Sequence, residues 1–173
     1  LRKGHFAEAN DGYLAILQED PKNVDAATGA AFTALMKGEF KQADIYLATV
    51  EESAGDRIGE VKLRRAMIAQ QQQEYSTAQK HALDSKTDYG KLIAAEVYLI
   101  DSEHEEAKEL LQQISSSEEK KLAGRYLSLL ESKSPWIQSL AEAQASWALK
   151  DYMLAVRSVK TLFDNDKIPK TFP

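Results

Sequence analysis

The amino-acid sequence predicts an all-α protein in which antiparallel helix pairs stack in successive layers. Three observations carry that prediction. First, a short pattern recurs at residues 4–9, 38–43, 73–78, 102–107 and 150–155: a small or polar residue, any residue, an aromatic or His, two residues, then Ala. Second, its ring positions 6, 40, 75, 104 and 152 are 34, 35, 29 and 48 residues apart, and a spacing near 34 is the period of stacked helix–turn–helix units. Third, Ala, Leu, Glu, Lys and Gln dominate. These are strong helix formers, and no segment shows the alternation of a strand.

The elements follow in order. Residues 5–19 read as a helix, because Phe6, Ala9, Tyr13, Ile16 and Leu17 fall at 3–4 spacing. It stops at Asp20-Pro21, where proline disfavours the α conformation in the residue before it. Asn23 is placed to N-cap a helix over 24–37, rich in Ala and closed by Gly38. Residues 39–53 follow, with Phe40, Ala43, Leu47 and Val50 on one face, and Gly55-Asp56 breaks them. Two further pairs are 58–72 with 75–85 and 88–101 with 104–115. Ser115-Ser116-Ser117 is a loop or N-cap cluster. Residues 118–132 form one more helix, Ser134-Pro135 opens another at 136–149, and the last runs 151–163. The repeat domain therefore spans 1–163. Residues 164–173 form an extended tail, since Pro169 and Pro173 do not suit a helix.

The interval of 48 equals 34 plus 14, the length of one extra helix. Either 118–132 is a lone insertion, or it opens a divergent pair with 136–149 and leaves 151–163 as a cap. The register of Lys150-Asp151-Tyr152 favours the insertion.

Composition narrows the function classes. The 173 residues suffice for four to five repeats, and 43% hydrophobic with 28% charged is globular rather than disordered usage. A net charge of −5 argues against nucleic acid, which calls for a basic stripe. The clusters Lys62, Arg64, Arg65 and Lys120, Lys121, Arg125 read as solvated helix faces. The absence of cysteine excludes disulfides and thiolate metal sites and leaves the compartment open, cytoplasmic or extracytoplasmic. No stretch approaches the ~18 apolar residues of a membrane span, and no signal peptide is visible. The chain opens at Leu1 inside a repeat, so further sequence is expected before it.

The recurring pattern resembles the tetratricopeptide repeat family over most of residues 1–163, most closely over 1–110. Small residues at fixed offsets carry the likeness. Ala31, Ala66, Ala95 and Ala143 stand seven before each turn position, and Ala9, Ala43, Ala78, Ala107 and Ala155 stand five after it. Alanine lets paired helices approach to the close end of the usual ~8–10 Å range, and the ring three residues earlier fills the wedge between neighbours. Pro21 matches the family's repeat-closing proline. Departures are Ala27, Lys62, Lys91 and Ser139, where a large aromatic commonly opens the first helix, and His104, where Phe or Tyr is usual.

The resemblance implies a right-handed superhelix, an α-solenoid, whose first helices line a concave groove. By offset these positions are Asp25, Thr28, Gly29, Phe32, Leu35 and Met36, then Glu60, Leu63, Arg64, Met67, Gln70 and Gln71, then Tyr89, Leu92, Ile93, Glu96, Leu99 and Ile100. Phe32 and Met67 would face each other across adjacent repeats. Methionine adapts to varied partners, and an amphipathic helix or extended apolar peptide suits such a wall. Leu35, Leu63 and Leu92 read equally well as core between layers. One subclass of the family clamps a chaperone's C-terminal carboxylate with lysines and asparagines. The matching positions are Thr28, Phe32, Glu60 and Arg64, and only Arg64 could serve, so that role is rejected. The first helix lacks a partner before it, so a cover is expected over Phe6, Tyr13 and Leu17, from upstream residues or a contacting molecule.

Catalytic patterns fare badly. His104-Glu105-Glu106-Ala107-Lys108 begins like a zinc-protease helix but lacks the second histidine; it reads as a polar ring at a helix start. His5 and His81 sit on other repeats and suggest no ligand set. Gly55 and Gly59 lack the lysine and serine of a phosphate loop. Glu51-Glu52 and Glu105-Glu106 are adjacent, so their side chains diverge on a helix and suit no paired acid–base work. Trp136 and Trp147, eleven apart, read as core packing. The expectation is a scaffold or adaptor without enzymatic activity, cofactor or metal, binding a protein or peptide partner, with no nucleic acid and no membrane insertion. The alternative is a regulatory or assembly module of a larger polypeptide whose groove holds its own segment. Self-association through the array ends is a third reading.

Overall fold

The computed structural model describes residues 3–132 and 134–164. These form ten α-helices, with no strand among the described residues. They are α1 (Lys3–Glu19), α2 (Val24–Met36), α3 (Phe40–Val50), α4 (Ile58–Gln71), α5 (Tyr75–Asp84), α6 (Asp88–Ile100), α7 (His104–Gln112), α8 (Ser117–Leu130), α9 (Pro135–Ala148) and α10 (Tyr152–Asp164). Helices adjacent in sequence pack side by side, and the pairs build a right-handed solenoid. Asn23 caps α2 as its sequence position demands, its Oδ1 accepting from the Ala26 N–H at 3.0 Å. Most bounds differ from expectation by one to three residues; the largest differences are at α7, which ends at Gln112, and at α3, which ends at Val50, where Glu51–Ser53 tightens into a 3₁₀ turn followed by another at Gly55–Arg57. Asp164 closes α10, and the expected extended tail otherwise lies outside the described residues.

From its second occurrence on, the recurring sequence pattern has a single structural counterpart; the first, at Gly4, lies within α1. Gly38, Gln73, Ser102 and Lys150 all adopt left-handed backbone, with φ of 76°, 59°, 61° and 62°. At each, the next residue's N–H donates to a carbonyl five residues back: Glu39 to Ala34, Glu74 to Ala69, Glu103 to Tyr98 and Asp151 to Ser146, all at 2.8–2.9 Å. This is the Schellman closure of a helix C-terminus. Three of the four are not glycine, so geometry repeats where residue type does not. The turn at Lys150 matches the others, and α9 pairs with α10. Helix α8 stands outside the alternation.

Alanines seal the layers. Ala43, Ala78 and Ala107 are fully buried, and Ala31, Ala66 and Ala95 are no more than 1% exposed. Replacing Ala43 by leucine is expected to lower stability by ~1–3 kcal/mol through overpacking, read as a shift in urea midpoint; a neutral result would remove the close-approach account. A closer contact lies at Gly90, where an added Cβ would stand 2.3 Å from the Ala82 carbonyl oxygen. Helix α6 therefore starts against the end of α5 at a distance only glycine permits.

The entry to the extra helix is tied in by one side chain. Asp88 at the start of α6 accepts from the Ser115 N–H and hydroxyl and the Ser116 N–H, each at 2.8 Å, and from Lys91 Nζ at 2.8 Å. These donors, Lys91 foremost, hold its carboxyl well below the usual range. Further along α8, the Tyr126 hydroxyl donates to Glu96 Oε1 at 3.0 Å.

Two expectations are corrected here. Lys62 and Arg65 are not a solvated face: their side chains are only 16% and 17% exposed. Arg65 binds Asp44 at 2.7 Å and also Glu51, and Lys62 binds Glu51 as well. The α3–α4 packing brings those carboxylates within reach. Lys120, Lys121 and Arg125 are exposed. The first helix also needs less cover than expected. Its Tyr13 ring sits where a Gly29 side chain would be, 2.4 Å from an ideal Cβ, and Leu17 packs on the α2–α3 core. The Phe6 side chain lies outside the described part.

Candidate functional site: a half-occupied inner face

The inner face divides into an open half over α2 and α4 and a covered half over α6. The open half is a cleft of about 390 Å³ lined by Thr28, Ala31, Phe32, Leu35, Met36, Phe40, Leu47, Arg64, Met67 and Gln71. On α2 the small residues Ala27, Ala31 and Ala34 are buried against neighbouring helices. One turn apart on the inner side, Phe32 and Met36 stand 44% and 59% exposed, with Met67 of α4 at 40%. Phe32 and Met67 thus share one cleft.

Its rim is electrically closed. Arg57 bridges Asp25 at 2.6 Å and Glu60 at 2.9 Å, and Glu60 also binds Arg64 at 3.0 Å. The Arg57 hydrogen bond, ahead of Arg64, holds the Glu60 carboxyl below its usual range despite partial burial. Two carboxylates and two guanidinium groups neutralise one another beside an apolar floor. Asp25, Glu60 and Arg64 are therefore engaged with each other. Arg57, which joins them, precedes α4 and has no place in the groove offsets.

The covered half is filled by the chain itself. Gln70 Nε2 donates to the Ala148 carbonyl at 3.2 Å, Lys150 Nζ to Gln71 Oε1 at 3.1 Å, and the Tyr75 hydroxyl to Asp151 Oδ2 at 3.0 Å. At the other end, Glu142 Oε1 accepts from the Ser102 hydroxyl at 3.2 Å and lies 2.9 Å from His104 Nε2. Helix α9 and its following turn thus run across the carboxyl ends of α6 and α4. Leu149, fully buried, packs in one cluster with Ala66, Ala82, Ile93, Ala94 and Val97. Burial, and then Asp151, raises the Tyr75 phenol far above its usual range.

Several predicted groove residues are thereby corrected. Gln70 at 7%, Ile93 at 1% and Glu96 at 7% exposure line no open surface. Leu92 and Leu99 are core, Ile100 is half-buried beside the same clusters, and Gly29 lies under Tyr13. Tyr89 remains 38% exposed but is not part of the cleft. The offsets bring Phe32, Met36, Arg64, Met67 and Gln71 to one cleft; they do not register a helix arriving from much later in the chain. Trp147 is a further correction. It is 63% exposed rather than core, with its ring edge-on to Tyr152 at 4.9 Å and 67°. The Trp136 side chain lies outside the described part.

Among the described residues no group of three or more His, Cys, Asp or Glu is placed to hold a metal ion. No helix of the described residues is long and apolar enough to cross a membrane. No protein-family model matches the chain, and no curated protein matches it either.

Proposed function

We propose that this chain is a tetratricopeptide-like scaffold module that binds, without catalysis, an apolar segment of a protein partner in the α2–α4 cleft. The observation that supports this most is the exposure of Phe32, Met36 and Met67 around a 390 Å³ apolar cleft with a neutralised rim. Charged or strongly polar ligands would find no free counter-charge chain there. An amphipathic helix or extended peptide presenting Leu, Met or Phe would bury its side chains against Phe32 and Met67. Rigid, pre-stacked helices limit the entropy lost on docking.

The test is selection from a displayed peptide library, followed by titration of the selected peptide. Phe32→Arg with Met67→Glu is expected to weaken that peptide by ~100-fold or more, in the range of lost interface anchors, while circular dichroism and melting stay nearly unchanged. Equal binding by the double variant would move the site elsewhere. The seating of α9 across α6 favours a second reading, a regulatory or assembly module whose groove is partly held by its own segment. A deletion of residues 135–173 that gained a new class of selected peptides would support it.

A further inference from the structure

We infer that the outer face of the α9–α10 hairpin is a self-association surface, on which a second copy of this chain packs its own hairpin across a two-fold axis. Trp147, Tyr152, Met153, Val156 and Val159 are 63%, 50%, 76%, 59% and 37% exposed. Tyr152, Val156 and Val159 recur at four and three residues, which places them in one stripe along α10. The stripe borders a cleft of about 380 Å³ whose α9 wall is Leu140, Ala143, Gln144 and Trp147. Among the described residues, nothing packs over it.

Area, charge and symmetry together select a second copy. Those five side chains carry roughly 600 Å² of accessible surface. With the neighbouring parts of the hairpin this reaches the ~800 Å² per partner of a standard stable interface. A two-fold interface sets each patch against itself, so any uncompensated charge would meet its own like. The cleft contains no ionisable side chain, so the two-fold sets no charge of its lining against a like charge. Two hairpins face to face make a four-helix bundle, a closed arrangement. The Trp147–Tyr152 contact holds the largest ring of the patch in place before association.

Sedimentation velocity of the full chain from about 1 to about 300 µM should show a monomer passing to a dimer and nothing larger. Val156→Glu with Val159→Glu should raise the dimer dissociation constant by ~100-fold with an unchanged far-ultraviolet spectrum. Because the chain has no cysteine, single-site cross-linking is a clean second readout. Val156→Cys should give an oxidised dimer and Ile16→Cys at the opposite end should not. A monomer at every concentration overturns the proposal, whether the cover is the tail or another protein. So does a dimer that survives the double variant, or a cross-link found only between positions 16 and 156, which would mean head-to-tail stacking. Should the charged variant fail to fold, the Val156→Cys cross-link decides alone.

Discussion

Replacing Leu149 by alanine is expected to lower stability by about 2–5 kcal/mol, the range for emptying a fully buried leucine site. Leu149 is 0% exposed and joins Ala66, Ala82, Ile93, Ala94 and Val97. Its neighbours are mostly alanines on helices fixed by other contacts, so they can collapse into the vacated space only in part. The same side chain is the apolar anchor of α9 on the inner face, with the bonds from Gln70, Lys150 and Tyr75 arranged around it. Loss of the anchor should therefore raise hydrogen exchange in the α6 amides more than in α2. Urea unfolding measures the first effect, and exchange by mass spectrometry the second. A change below about 1 kcal/mol would mean that α9 rests on the array without being packed into it.

The second large effect is on pH dependence. Glu96 is 7% exposed, and burial pushes its carboxyl up from the ordinary 4.5 to about 8, against the opposing hydrogen bond from Tyr126. Below about pH 4.5 the carboxyl is protonated in both the folded and unfolded chain. Between there and about pH 8 the folded chain keeps a proton that the unfolded chain has released. Stability from this group therefore falls as pH rises, by about 1 kcal/mol per unit, and levels off above that range. Glu96→Gln keeps an amide oxygen for Tyr126 and removes the titration. The variant should match the native chain near pH 5 and exceed it by a few kcal/mol near pH 8.5. Parallel slopes for the two proteins would show that Glu96 reaches water and ionises freely.

Several helix positions were legible from residues alone because their boundaries have a local cause. Asn23 caps, Pro21 stops, Gly38 turns left-handed, and every one of these acts within a few residues. The alanine rows were legible for a related reason: close packing recurs at each layer and leaves a periodic trace. Gln73, Ser102 and Lys150 share Gly38's backbone geometry without sharing its chemistry, so only their spacing revealed them. The candidate site was half legible. Phe32, Met36, Arg64, Met67 and Gln71 do gather at one cleft. Ile93 and Gln70 were misplaced because their surroundings include Leu149 and Ala148, far along the chain, and Glu96 because Tyr126 of α8 meets it. Arg57 was missed because pairing partners on different helices leave no periodic signal. The 48-residue interval was the one hint of a departure from regular stacking, and it locates the extra helix without saying where the next one lands.

A strictly linear stack lets each layer loosen with little regard for layers further on. The bond between Gln70 and Ala148 joins residues 78 apart, and that between Tyr75 and Asp151 joins residues 76 apart. These clasps fasten the second layer to the last. A layer cannot peel from that end without first undoing them, and the loop they close must be brought together late in folding at an entropic cost that adjacent layers never meet. The molecule should accordingly melt from its first helix inward, with everything from α4 onward giving way together.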